Sequence, residues 1–203
     1  MSKVLARRKA KCMSDREEID QRYQHECAQW PDRKVEIISG RIVVRELPTF
    51  DHAKTILWLL SQLLPVATER GWLPVWGMKL FLGVQKDRYI PDLLVLPRDP
   101  RMWDDENVHA EEALLVVEVV SPSSQSDDHV VKPRNCAAAG VPLYLVIDAF
   151  ENQVTLFSQP SETGYLNEVT ETIGKPIELP APWDLTIDTG RLLTGESTGD
   201  TGK

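Results

Sequence analysis

The sequence predicts an α/β (α+β) domain, and three observations carry that reading. Two β-rich runs, KVEII (34–38) and RIVVRE (41–46), flank Ser39-Gly40 as the arms of a hairpin. Ile56, Leu59, Leu60, Leu63 and Leu64 recur at helical spacing after Asp51, a possible N-cap. Farther on, the apolar runs ALLVVEVV (113–120) and LYLVID (143–148) are separated by a helical stretch ending at AAAG, where Gly140 suits a C-terminal cap.

The other elements follow in chain order. Residues 1–13 form a basic arm without an apolar segment behind it, so they do not read as a secretory signal. Ser14 and Glu17 have capping-box spacing and open a helix that Pro31 stops. The second helix should reach Arg70, with a kink or an early end at Pro65. Strands are expected at 74–82 and 89–96, joined to the run at 113 by a polar segment, 97–112. VTLFS (154–158) should pair with 143–148, and short strands and turns should follow. The expected organisation is thus the arm, a single domain over 14–193, and a disordered Gly/Thr/Ser-rich tail over 194–203.

Composition narrows the function classes. The 203 residues are 42% hydrophobic, enough for a sizeable core, and no apolar run approaches a membrane span. Cys12, Cys27 and Cys136 have no close spacing, which argues against disulfides or a zinc cluster and for a reducing, cytoplasmic setting. The net charge of −8 confines any nucleic-acid binding to a local basic patch.

The chemistry-bearing residues are acids in unexpectedly apolar strands: Glu36 in VEII, Asp92 in YIPDLLVL and Glu118 in LLVVEVV. A carboxylate there is costly unless paired. Glu36 and Glu118 could face solvent by alternation, and Asp92 could shape a turn after Pro91. If instead they converge, they make a hard oxygen site suited to magnesium or manganese. Asp128 and Lys132 are four apart, either as a surface ion pair or with the ammonium beside the acids. Pro133 places the start of the regular helix near 129–132, with Lys132 in its first turn. His52 lies at the start of the second helix, where a surface histidine beside a cap is the plainer reading; Trp58 reads as packing.

KVEIISGRIVV, DHAKTILWLL, PDLLVL, LLVVEVVSPSS with the following aspartates and Lys132, and AGVPLYLVID span residues 34–158. In this order and spacing the chain resembles the Uma family of restriction-endonuclease-like proteins, within the PD-(D/E)XK nuclease superfamily. The resemblance implies a restriction-endonuclease-like core, with a central mixed β-sheet flanked by helices. It implies a Mg2+ (or Mn2+) dependent hydrolase cutting nucleic-acid phosphodiesters, a DNA endonuclease. Asp92 and Glu118 would hold the metal, and Glu36 would complete the acidic cluster. The lysine expected two residues after Glu118 is replaced by Val120. Lys132 resembles its migrated substitute, placing the attacking water or the scissile phosphate. His52 and Asp128 match recurrent positions, whereas Cys136, Leu145 and Pro133 depart from the family pattern. A homodimer with two active sites would suit double-strand cleavage. The rivals are a catalytically inactive nucleic-acid-binding or regulatory protein on the same fold, and a protein-interaction domain.

Overall fold

The computed structural model describes residues 15–83 and 86–194; the basic arm, the Ser14 cap and residues 195–203 of the tail lie outside them. The elements run α1 (Asp15–Gln29), β1 (Lys34–Ile38), β2 (Arg41–Arg45), α2 (Phe50–Arg70), β3 (Trp72–Val75), β4 (Lys79–Leu82), β5 (Asp87–Tyr89), β6 (Leu93–Pro97), β7 (Asn107–His109), β8 (Leu115–Val119), α3 (Lys132–Ala138), β9 (Leu143–Asp148), β10 (Gln153–Ser161), β11 (Gly164–Thr172), β12 (Ile177–Leu179), β13 (Leu185–Ile187) and α4 (Arg191–Thr194). Among the described residues no helix is long and apolar enough to cross a membrane.

A mixed six-stranded sheet, ordered β11-β10-β9-β8-β6-β3, forms the centre. Its β8 and β9 are parallel, and its other pairs are antiparallel. Parallel neighbours need a long crossover, and the helical segment ending in α3 supplies it. Both faces of β8 and β9 are covered, which is why they read as continuous apolar runs.

Alternation along the strands sorts side chains into two cores. Leu93, Val95, Leu115, Val117, Leu145 and Ile147 face α2, through Leu59 and Leu63, and the small β12–β13 ribbon. Burying each leucine of α2 contributes about 1.5–3 kcal/mol. On the opposite face, Leu94, Leu96, Val116, Tyr144 and Val146 meet a second sheet of order β2-β1-β5-β4-β7, through Ile38, Leu80, Leu82 and Tyr89. Helix α1 then covers that second sheet, with Tyr23 on Val35 and Ile37.

The expected strands at 74–82 and 89–96 are each broken in two. Gly77, at φ +70°, turns the chain between β3 and β4 into different sheets. Between β5 and β6, Ile90 donates its N–H to Glu36 Oε1 instead of to a neighbouring strand, and Pro91 has no N–H to give. Helix α2 begins two residues earlier than the Asp51 cap implies: Thr49 is the N-cap, its hydroxyl accepting from His52 N at 3.3 Å. It runs through Pro65, which sits on the exposed side, where the carbonyl left without a partner can be hydrated. The region after 158 holds a nine-residue strand, β11, longer than the short strands expected there.

Candidate functional site

Period-2 geometry places three acids in the gap between the two sheets. On β1, Val35 and Ile37 face α1, so Glu36 points the other way. On β8, Leu115, Val117 and Val119 face α2, so Glu118 also points into the gap. Asp92 continues β6 by one residue. Beyond the ladder pair Leu93–Val117 it falls opposite Glu118, and its N–H donates to Val117 O at 3.1 Å. The two carboxylates therefore lie on one face of the central sheet, and the solvent-facing alternatives for Glu36 and Glu118 do not hold: both are buried.

Lys132 reaches into the same gap. Its ammonium lies 2.8 Å from Glu118 Oε1, 3.1 Å from Asp128 Oδ1 and 3.3 Å from Glu36 Oε1, and the side chain is 1% exposed. The Asp128–Lys132 pair is thus a buried contact, not a surface ion pair. The helix carrying it differs from the expected one. Residues 125 and 126 are already helical, Asp127–Val131 form a π turn, and α3 follows without a break. Lys132 N–H donates to Asp127 O, five residues back. The wider turn eases the clash that the ring of Pro133 would have with the preceding carbonyls. The regular helix α3 therefore begins at Lys132, within the expected 129–132, but the π turn runs into it, so Lys132 does not lie at a free helix N-terminus. Val120 is buried in the apolar core facing the second sheet.

Two cations that sequence reading missed complete the arrangement. Lys34 and Arg45 are directly paired across β1 and β2 on the face that carries Glu36. Like charges facing one another repel, and carboxylates from other elements offset that repulsion. Lys34 Nζ donates to Asp92 Oδ1 at 2.7 Å and lies 3.9 Å from Glu118 Oε2. Arg45 Nη2 donates to Asp127 Oδ2 at 2.5 Å, Nη1 donates to Ser123 O, and Nε approaches Glu36 Oε2 at 3.4 Å. The i, i+2 spacing of Lys34 and Glu36 on a predicted strand was the available signal. His52 Nε2 lies 3.0 Å from Asp92 Oδ2 without the alignment of a hydrogen bond, and the Asp92 oxygen also accepts from Val119 N at 2.9 Å.

Burial and charge shift these groups in different directions. Burial raises the Asp92 and Glu36 carboxyls, but neighbouring groups outweigh it: Lys34 and the His52 ring for Asp92, Lys132 and Lys34 for Glu36. Both are held below the usual carboxylate range. Glu118 goes the other way. Burial pushes it up to about 8, Lys132 and Lys34 pull it down, and Asp128 and Asp92 add to the rise. Burial disfavours the Lys132 ammonium, and the surrounding Glu118, Glu36 and Asp128 more than restore it.

A cavity of about 500 Å³ opens onto the cluster, lined by Lys34, His52, Asp92, Glu118, Asp128 and Lys132, with Leu47, Pro48 and Phe150 among its apolar lining. Glu36, fully buried, sits behind Lys132. A divalent cation is compatible with this donor set. Asp92 Oδ1 and Glu118 Oε2 already approach one positive centre, the Lys34 ammonium. Among the described residues, the carboxyl groups of Glu36, Asp92, Glu118, Asp127 and Asp128 meet the cations of Lys34, Arg41, Arg45 and Lys132. Among the described residues no three acidic, histidine or cysteine side chains form a ready-made cage. Magnesium needs none, since it commonly takes one or two carboxylates and keeps its waters.

Comparison with known proteins agrees with this architecture. A solved structure from Anabaena variabilis ATCC 29413, described as "a putative nuclease belonging to DUF820", superposes with a TM-score of 0.64 at 16% identity, covering 78% of this chain and 89% of that one. No curated protein matches the chain. The Uma2 family profile, described as "Putative restriction endonuclease", matches residues 20–189. The central mixed sheet, its flanking helices and that match over most of the sequence lead to one conclusion: the chain belongs to the Uma2 family and has the restriction-endonuclease-like fold.

Proposed function

We propose that the protein is a Mg2+ (or Mn2+) dependent endonuclease that hydrolyses phosphodiester bonds in nucleic acid, DNA foremost. The observation that carries this reading is the convergence of Asp92, Glu118 and Lys132, from β6, β8 and α3, on one cavity, with Glu36 of β1 behind them. When bound, the metal supplies a polarised phosphoryl oxygen and a more acidic water. Asp92 and Glu118 hold it. The backbone N–H of Val119 fixes Asp92 Oδ2 beside the His52 ring, and Oδ1 is left to Lys34. Lys132 fixes Glu118 Oε1 and draws in Glu36 and Asp128. An ammonium has three donor hydrogens, and three carboxylates surround this one. Lys132 therefore acts as a positioning residue for the acids, and contact with water or phosphate falls to other groups.

A supercoiled plasmid incubated with the protein and Mg2+ or Mn2+ should be nicked or linearised, and chelation should stop it. Glu118→Ala should lower the rate about 100-fold or more. A second reading, a catalytically inactive nucleic-acid binder in the cytoplasm, is favoured by one observation: a cation already engages each carboxylate of the cluster. Plasmid binding without metal-dependent cleavage would select it. Cleavage of both strands is simplest from a homodimer, and sedimentation with and without DNA tests that arrangement.

A further inference from the structure

We infer that Lys34 is an ammonium latch on the metal position: it bridges Asp92 and Glu118 in the metal-free protein, and a divalent cation binds there only as Lys34 withdraws. The inference rests on the metal reading above and adds a residue that competes with the metal.

The argument comes from the individual oxygens. Asp92 Oδ2 accepts from Val119 N at 2.9 Å, and the His52 ring stands 3.0 Å from it. Glu118 Oε1 is taken by Lys132 Nζ at 2.8 Å. Each carboxylate is left with one other oxygen, Asp92 Oδ1 and Glu118 Oε2. Both approach the Lys34 ammonium, at 2.7 and 3.9 Å. These are the oxygens a metal held by Asp92 and Glu118 has to use. A second positive centre cannot share them with an ammonium that close, because like charges at such a distance repel strongly in a poorly hydrated site.

Lys34 has a route out, whereas Lys132 does not. Lys34 is the first residue of β1, its side chain is 17% exposed, and it lines the cavity wall. Its four-carbon stem can swing the ammonium toward the opening without moving the strand. Lys132 is sealed among three carboxylates. The two lysines therefore divide the work: one fixes the acids permanently, and the other holds them together until a stronger cation arrives. A ligand whose binding-competent state is only partly populated binds more weakly by that fraction, so the latch sets the threshold metal concentration.

The test is Mn2+ binding without nucleic acid, read from the electron paramagnetic resonance signal of free Mn2+, alongside thermal melting. Wild type, Lys34→Gln, Lys34→Arg and Glu118→Gln are compared. Lys34→Gln should bind Mn2+ about tenfold more tightly than wild type and melt lower when metal-free, and saturating Mn2+ should close that gap. Lys34→Arg keeps the positive charge and should bind no more tightly than wild type. Glu118→Gln should lose binding. Mn2+ binding by Lys34→Gln alone would be the strongest support. If Lys34→Gln binds no more tightly while Glu118→Gln still abolishes binding, the latch is wrong and the metal site stands. If neither wild type nor Lys34→Gln binds Mn2+, the metal reading fails and takes the latch with it.

Discussion

The gap between the two sheets contains two kinds of buried carboxylate. Asp87, on β5, is fully buried, and neutral groups hold it. It accepts from Ser39 N at 2.6 Å, Gly40 N at 3.1 Å, Tyr89 Oη at 3.0 Å and Asn135 Nδ2 at 3.3 Å. Its backbone donors are set by the β1–β2 turn, where Ser39 and Gly40 have φ of +48° and +73°, and its side-chain donors come from β5 and α3. The Glu36–Asp92–Glu118–Asp128 group is buried almost as deeply, but cations on long flexible stems hold it. Rigid neutral donors make a carboxylate part of the scaffold. Charged, movable partners make it exchangeable, as a site that must take up an ion requires.

The comparison can be broken or sharpened by substitution. The largest effect is expected for Lys132→Met, which leaves Glu36, Glu118 and Asp128 without their shared partner. Urea unfolding should show a loss of about 3–5 kcal/mol, partly recovered by adding Glu118→Gln. A loss below about 1 kcal/mol would mean that the acids simply take up protons. Such a cluster would be no more demanding than Asp87. Next comes Asp87→Asn, expected to cost about 2 kcal/mol and to leave Mn2+ binding unchanged. Weakened metal binding in that variant would merge the two regions.

A smaller effect should appear in the pH dependence of Glu118. Its carboxyl is raised in the folded protein to about 8, by burial first and by Asp128 and Asp92 in addition. A group raised on folding contributes stability that is full below its unfolded pKa and is lost as pH rises through the folded one. Metal-free wild type should therefore lose about 1 kcal/mol relative to Glu118→Gln between pH 6 and pH 9, measured by chemical denaturation. The opposite slope would show that Lys132 and Lys34 outweigh burial. The smallest change belongs to Thr49→Ala, which removes the α2 cap on the cavity wall. It should cost about 0.5–1 kcal/mol in thermal melting.

Much of this arrangement is legible in the sequence because periodicity carries it. The β1–β2 hairpin, α2 and the runs at β8 and β9 were visible as alternation or helical spacing. The acids were visible as exceptions to that pattern. The hidden parts depend on tertiary pairing. The breaks at Gly77 and at Ile90–Pro91 divide apolar runs that look continuous, because apolarity does not tell which sheet a residue enters. Lys34 and Arg45 look like ordinary strand-end charges until the second sheet closes over the first and places them opposite Asp92 and Asp127. Pro133 signals disturbance in the helix, but the sequence does not show that the chain absorbs it with a π turn.

That turn has a consequence for how the family can tolerate length changes. Asp127–Val131 contains one more residue than the regular helix on either side would use. Deleting a single residue there, such as the exposed Val130, would restore an unbroken α-helix. The residues beyond it would keep their phase, because the wide turn spends one residue more than a regular turn to cover about the same rotation. Lys132 would stay in the gap and Asn135 beside Asp87, while the ring of Pro133 would again meet the carbonyls of a regular helix. A deletion in a regular stretch of α3 has no such cushion and would turn everything beyond it by about 100°, the angular step of one helical residue. The spacing between Glu118 and Lys132 can thus differ by one residue at the π turn without moving the ammonium.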